Sequence, residues 1–204
     1  MPRKTDHQVH TDPRTASSVR RGHQCPQAVS RTERPRPLRV EALPEWRGAL
    51  TLSHYSRETA ITPRTVDQAE AVRERLDKPD GLWVSVDGED DWPAWCKAEG
   101  YDNIDSKNRF RVHLAPDANL LILDTDEQIL RFTQRYQIGE LGGIDWPSVA
   151  EGYQGVIIAP YSWNCRSDLT TSWYYGWDCA SGCIWDAGAI AHIEFVSKGA
   201  SEHE

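Results

Sequence analysis

No stretch of the chain is apolar over the roughly 20 residues that a membrane-crossing helix needs, so no transmembrane helix is expected. Arg20-Arg21 is followed by Gly22-His23-Gln24-Cys25-Pro26, not by the apolar segment that would complete a twin-arginine export signal. A cytoplasmic protein is therefore expected. Cysteine is sparse. Cys25, Cys96, Cys165, Cys179 and Cys183 are an odd, scattered set in a 204-residue chain long enough to build a core without covalent staples. Reduced thiols are the expected state. The pattern G-x-G-x-x-G is missing, which disfavours a phosphate-binding helix turn of the doubly wound dinucleotide folds. Basic charge is scarce beyond the first residues. Residues 1–39 carry nine Lys/Arg against three Asp/Glu, and the remainder carries 14 against 28. An acidic body of this kind disfavours broad nucleic-acid binding through phosphate contacts, though a local groove remains open to it.

Phenylalanine is also rare, at three residues, whereas Trp and Tyr number nine and seven. Their flat apolar faces with one polar edge suit stacking sites as well as cores. Residues 1–42, rich in Arg, Pro, Ser and Thr with isolated apolar residues, are expected to be a disordered basic tail. Residues 43–200 are expected to form one domain. Within it, Thr65-Val66-Asp67-Gln68 and Thr125-Asp126-Glu127-Gln128 have capping-box spacing, predicting helices over 65–77 and 125–136. Asp91-Trp92-Pro93 and Asp145-Trp146-Pro147 each open a helix, with Asp as cap and Pro in the first turn where no donor is missed. Strands are predicted over 49–55, 82–86, 109–114, 119–123, 155–159, 182–185 and 192–196. The short gap between 109–114 and 119–123 predicts a hairpin, so a purely parallel sheet is excluded. Residues 160–177 read as a long irregular loop. The class is α+β.

Two strands carry polar groups that packing alone would not require. Leu50–Ser56 reads LTLSHYS, and Gly81–Ser85 reads GLWVS. A His, two hydroxyls and a Trp on neighbouring strands suit a pocket for a planar, polar ligand. His54, Tyr55, Ser56, Trp83 and Ser85 are the candidate binding residues. Ordinary strand hydroxyls, a satisfied structural His and core aromatics are the plainer alternatives, because the pleat sends alternate side chains to opposite faces.

The order of pieces resembles the ADP-ribosyltransferase superfamily. The resembling features are His54-Tyr55-Ser56 on the first strand, Trp83 and Ser85 on the second, and the strand pair in RVHLAPDANLLILD. Gly152-Tyr153-Gln154-Gly155-Val156 then turns into a strand, and Cys183-Ile184-Trp185-Asp186 closes another. The likeness covers residues 49–197. It implies split mixed β-sheets flanked by short helices, NAD as a consumed substrate, a macromolecular acceptor (protein or nucleic acid) and a loop, Tyr161 to Tyr175, that recognises it. A monomeric toxin or phage-type factor is the implied setting. One departure matters. The family's usual glutamate would fall at Ser181, leaving Asp178 and Glu194 as the candidate catalytic acids.

Cleavage of the nicotinamide–ribose bond builds positive charge on the sugar, as glycoside hydrolysis does. A carboxylate near that ring stabilises the transition state more than the ground state. Should neither acid reach the pocket, the same fold would serve as a catalytically inactive nucleotide- or partner-binding module. Nicotinamide release without transfer would instead mark an NAD hydrolase. Two further readings compete. Cys165, Cys179, Cys183 and His192 could supply zinc ligands, but the C-x3-C spacing lacks a second tight pair. Cys96, near a helix start, could be a nucleophile, but no paired His is indicated. No metal is expected.

Overall fold

The computed structural model describes residues 50–71, 77–101, 104, 107–139 and 142–199. The expected tail, 1–42, lies outside the described residues. Seven strands form one mixed sheet: β1 (Leu52–Ser56), β2 (Leu82–Val86), β3 (Asn108–Leu114), β4 (Leu120–Leu123), β7 (Gly155–Ile158), β8 (Ser181–Ile184) and β9 (Ile190–Ser197). Their spatial order is β4-β7-β8-β2-β1-β3-β9, and a separate ribbon pairs β5 (Gln137–Ile138) with β6 (Gly143–Ile144). Only β4 and β7 run parallel among these pairs. The α+β class stands, but the expected split into two sheets does not. Leu52 and Ser53 on β1 pair with Val86 and Ser85 on β2 and join the two halves.

The expected hairpin between 109–114 and 119–123 is absent. The first segment (β3) pairs with β1 and β9, and the second (β4) with β7 at the other edge. Between them, Ala118 N–H closes a turn on the Ala115 carbonyl. Asn119 N–H then donates to Gln154 Oε1, and the Asn119 carbonyl accepts from Gln154 N–H. This seats the chain beside β7. Six Cα steps span at most about 22 Å, whereas five flat inter-strand spacings take about 24 Å. The sheet is therefore curved.

The helices begin where cap chemistry places them. Asp91 accepts from Ala94 N–H at 2.9 Å and opens α1 (Trp92–Ala98), with Pro93 in the first turn. Thr125 caps α2 (Asp126–Tyr136) through Gln128 N–H, while the Gln128 side chain reaches back to Asp124 N–H. Asp145 caps α3 (Trp146–Ala150). The capping box expected at Thr65 is not used. The Thr65 hydroxyl instead donates to Asp186 Oδ1 and accepts from Ala187 N–H. The first turn starts later, where Asp67 accepts from Ala69 and Ala71 N–H. The rest of that expected helix, 72–76, lies outside the described residues. The segment 160–177 is not irregular. Ser162 caps α4 (Trp163–Ser167), and Asp168 opens a 3-10 helix over Leu169–Gly176 that kinks at Thr171.

The core is built on indoles. Trp146 contacts Phe132, Trp173, Trp177 and Trp185 at ring separations of 5.8 to 6.5 Å. Polar edges are satisfied inside it: Trp173 Nε1–H donates to Thr133 Oγ1 at 2.7 Å, and Trp185 Nε1–H to the Tyr153 carbonyl at 2.8 Å. This is the condition for burying Trp at no hydrogen-bonding loss. Around it the fully apolar β4 and β7 supply Leu121, Leu123, Ile157 and Ile158, each worth about 1.5–3 kcal/mol on burial.

Candidate active site

The site lies where β1 and β2 separate. β1 is in register with β3 from Leu52 to Ser56, and β2 with β8 from Leu82 to Ser85. Between β1 and β2 only Leu52↔Val86 and Ser53↔Ser85 are in register. Beyond that point the imidazole of His54 takes over, with Nδ1 2.7 Å from the Trp83 carbonyl. A carbonyl can only accept, so Nδ1 carries the hydrogen and Nε2 is left as an acceptor in the neutral ring. Burial pushes the His54 pKa down from its ordinary value, the Trp83 carbonyl opposes that shift, and the charge of Lys107 adds to it.

The parted strands border a cavity of about 340 Å³, within the range of small-molecule sites. Its polar floor is a row of hydroxyls. Ser53, Ser85 and Ser181 are register partners across β1, β2 and β8, and all three are buried. Each is held in place. Ser53 Oγ accepts from Arg109 Nε at 3.0 Å, Ser85 Oγ accepts from Trp92 N–H at 2.9 Å, and Ser181 Oγ donates to the Cys179 carbonyl at 2.9 Å. Aromatic walls come from Tyr55, Trp83, Trp92 and Trp177. The Trp83 and Trp177 rings lie 4.9 Å apart at 60°. Charge enters through Lys78, Lys107 and Asp178. The Asp178 carboxylate stands 3.9 Å from Lys78 Nζ and 3.6 Å from Arg166 Nη1.

Five of the residues singled out from the sequence line this one cavity: His54, Tyr55, Trp83, Ser85 and Asp178. Two do not. Ser56 Oγ accepts from Glu58 N–H in the turn that ends β1. Glu194 lies on the outer strand β9, largely exposed, 3.1 Å from His113 Nε2. It is thus excluded as the cavity's acid. The sequence reading missed Ser53, Lys78, Trp92, Lys107, Trp177, Cys179 and Ser181 as lining groups. Ser53 shares a face with Tyr55 two places on, and that signal was readable. Ser181 stands where the resembling family carries its glutamate, and its register with Ser85 sets it in the row of hydroxyls.

The competing cysteine readings find no support in the geometry. Burial pushes the Cys179 thiol up to about 12 and raises Cys96 as well, so neither is poised as a thiolate. Among the described residues no three His, Cys, Asp or Glu side chains are grouped to hold a metal. Cys165 and Cys183 are buried apart, near the carbonyls of Asp126 and Pro79, and His192 stacks on His113 at 4.0 Å. No helix among the described residues is long and apolar enough to cross a membrane. No protein-family model, curated protein or solved structure matches this chain.

Proposed function

We propose that the protein is an ADP-ribosyltransferase that cleaves NAD, releases nicotinamide and passes ADP-ribose to a protein or nucleic-acid acceptor. The observation that carries this reading is the convergence of His54, Tyr55, Trp83, Ser85 and Asp178 on one cavity between two parting strands. Ser85 offers its hydroxyl hydrogen to the ligand, since its oxygen already accepts from Trp92 N–H. Trp83 or Tyr55 offers a face to the nicotinamide ring. His54 Nε2 accepts from a ribose hydroxyl or the carboxamide. Asp178 is the carboxylate that meets charge developing on the ribose. The exposed side chains of Trp163, Leu169 and Tyr175 supply an acceptor face. Arg166 links that face to the acid, packing 5.0 Å from the Tyr175 ring and 3.6 Å from Asp178.

The test is incubation of the full chain with labelled NAD and cell lysate. Label should become macromolecular, and Asp178→Ala should abolish transfer while the fold persists. Protease and nuclease treatment of the labelled product then identifies the acceptor class. Soluble ADP-ribose with no transferred label would redefine the protein as an NAD hydrolase.

A second reading, a catalytically inactive module that binds a nucleotide or a partner, is favoured by one observation. Asp178 already faces two cations, Lys78 and Arg166, and no other carboxylate lines the cavity among the described residues. NAD binding without nicotinamide release would establish that reading.

A further inference from the structure

We propose that Lys107 is the anion-binding residue of the cleft, the group that receives the pyrophosphate of a nucleotide ligand. The nucleotide's identity rests on the NAD reading above, but the anion subsite stands on its own observations.

Among the described residues three charged side chains line the cavity: Lys78, Lys107 and Asp178. Asp178 is shared between Lys78 at 3.9 Å and Arg166 at 3.6 Å. Lys107, immediately before β3, makes no ion pair among the described residues. Its Nζ lies 5.9 Å above the ring of Trp92, another lining residue. That contact sets the ammonium over the indole face, and among the described residues its three donors are unspent. The neighbouring basic side chains are differently occupied. Arg109 spends Nη2 on Asp87 at 2.7 Å and Nε on Ser53, and Arg111 Nη2 stands 3.7 Å from the same Asp87 carboxylate. Among the described residues Lys107 is thus the lining cation with no carboxylate within ion-pair distance. It belongs to a body in which acidic residues outnumber basic ones two to one. That acidic surplus repels an anion at long range, so the attraction is local to the lysine, which binds phosphate as a compact point charge. Its field already reaches the cavity interior, since it helps hold His54 neutral.

The experiment is calorimetric titration of the full chain with three probes: NAD, nicotinamide riboside (which has no phosphate) and inorganic pyrophosphate. Lys107→Ala should weaken NAD and pyrophosphate by about tenfold to a hundredfold, the range for losing one charged contact. Nicotinamide riboside should change by no more than about twofold, and Lys107→Arg should retain most of the NAD affinity. A salt titration should show a shallower loss of NAD affinity in Lys107→Ala than in the wild type. If NAD binds and Lys107→Ala binds it equally well, the anion assignment falls while the NAD reading survives. If pyrophosphate binds in a Lys107-dependent way and neither NAD nor nicotinamide riboside binds, the NAD reading falls and the anion subsite stands. Failure of all three probes to bind the wild type overturns both.

Discussion

Replacing Asp178 by Asn tests the chemistry with the smallest change of shape. The amide keeps the volume and one acceptor oxygen but removes the charge. In the transition state for nicotinamide loss, the ribose carries close to a full positive charge. A carboxylate about 4 Å from that charge, at an effective dielectric near 20, contributes about 4 kcal/mol. At roughly 1.4 kcal/mol per decade of rate, loss of that charge slows cleavage by about a thousandfold. Substrate binding should change less, because the positive charge moves from the pyridinium ring onto the sugar, toward the carboxylate, as the bond breaks. The expected signature is therefore a fall in kcat with KM nearly unchanged. The fold should hold, since Arg166 keeps its bond to the Tyr161 hydroxyl and lies within 3.4 Å of the Trp177 carbonyl. The assay is single-turnover nicotinamide release from saturating NAD, with thermal melts of both proteins as the folding control. Activity of Asp178→Asn within about threefold of wild type would refute the assignment, as would an equal collapse in Glu194→Gln.

Three further outcomes are expected. His54 titrates below its ordinary 6.5 in the folded protein because burial disfavours the charged ring. The unfolded chain thus binds more protons in the window between that lowered pKa and 6.5, and stability falls as the pH falls through it. NAD affinity should fall at lower pH still, as the pH passes below that lowered pKa and Nε2 is protonated in the folded protein, and both slopes should flatten in His54→Gln, as read by denaturant melts and titrations at each pH. Gly182→Ala should destabilise by about 1–3 kcal/mol in urea, since its new methyl would sit 2.6 Å from the Val156 carbonyl oxygen and 3.2 Å from Ile157 Cα, backbone atoms that cannot swing aside. Thr133→Val should cost about 1–3 kcal/mol by the same measurement, because the buried indole N–H of Trp173 then loses its acceptor. Thr133→Ser should recover most of that loss.

Much of the fold was legible because its local signals are chemically unambiguous. Asp91 and Asp145 followed by Trp-Pro, and Thr125 followed by Gln128, name their helices through caps that need no tertiary help. Leu82–Val86 stands out by composition alone. Failures arose where a distant residue competed for a local group. Asp186 and Ala187 claimed the Thr65 hydroxyl, so the box did not close on its own helix. Gln154, 35 residues from Asn119, drew the chain to the far edge where proximity suggested a hairpin. The aromatic segment 160–177 folded because Trp173, Tyr174 and Trp177 had a core to enter, which no window of sequence displays. The candidate site was read in halves. Its strand residues carried a visible oddity, hydroxyls and a His on buried strands. The lysines came from other elements and are united with them only by topology.

The seam between β1 and β2 has a mechanical consequence. Each strand is laced firmly to its outer neighbour, β1 to β3 and β2 to β8, and only loosely to the other. A sheet under strain is expected to part first along its sparsest pairing, which here is the border of the aperture. A guest that spans it fastens the two flanks together, and amides beside Ser53 and Ser85 would then exchange more slowly with solvent than in the empty protein.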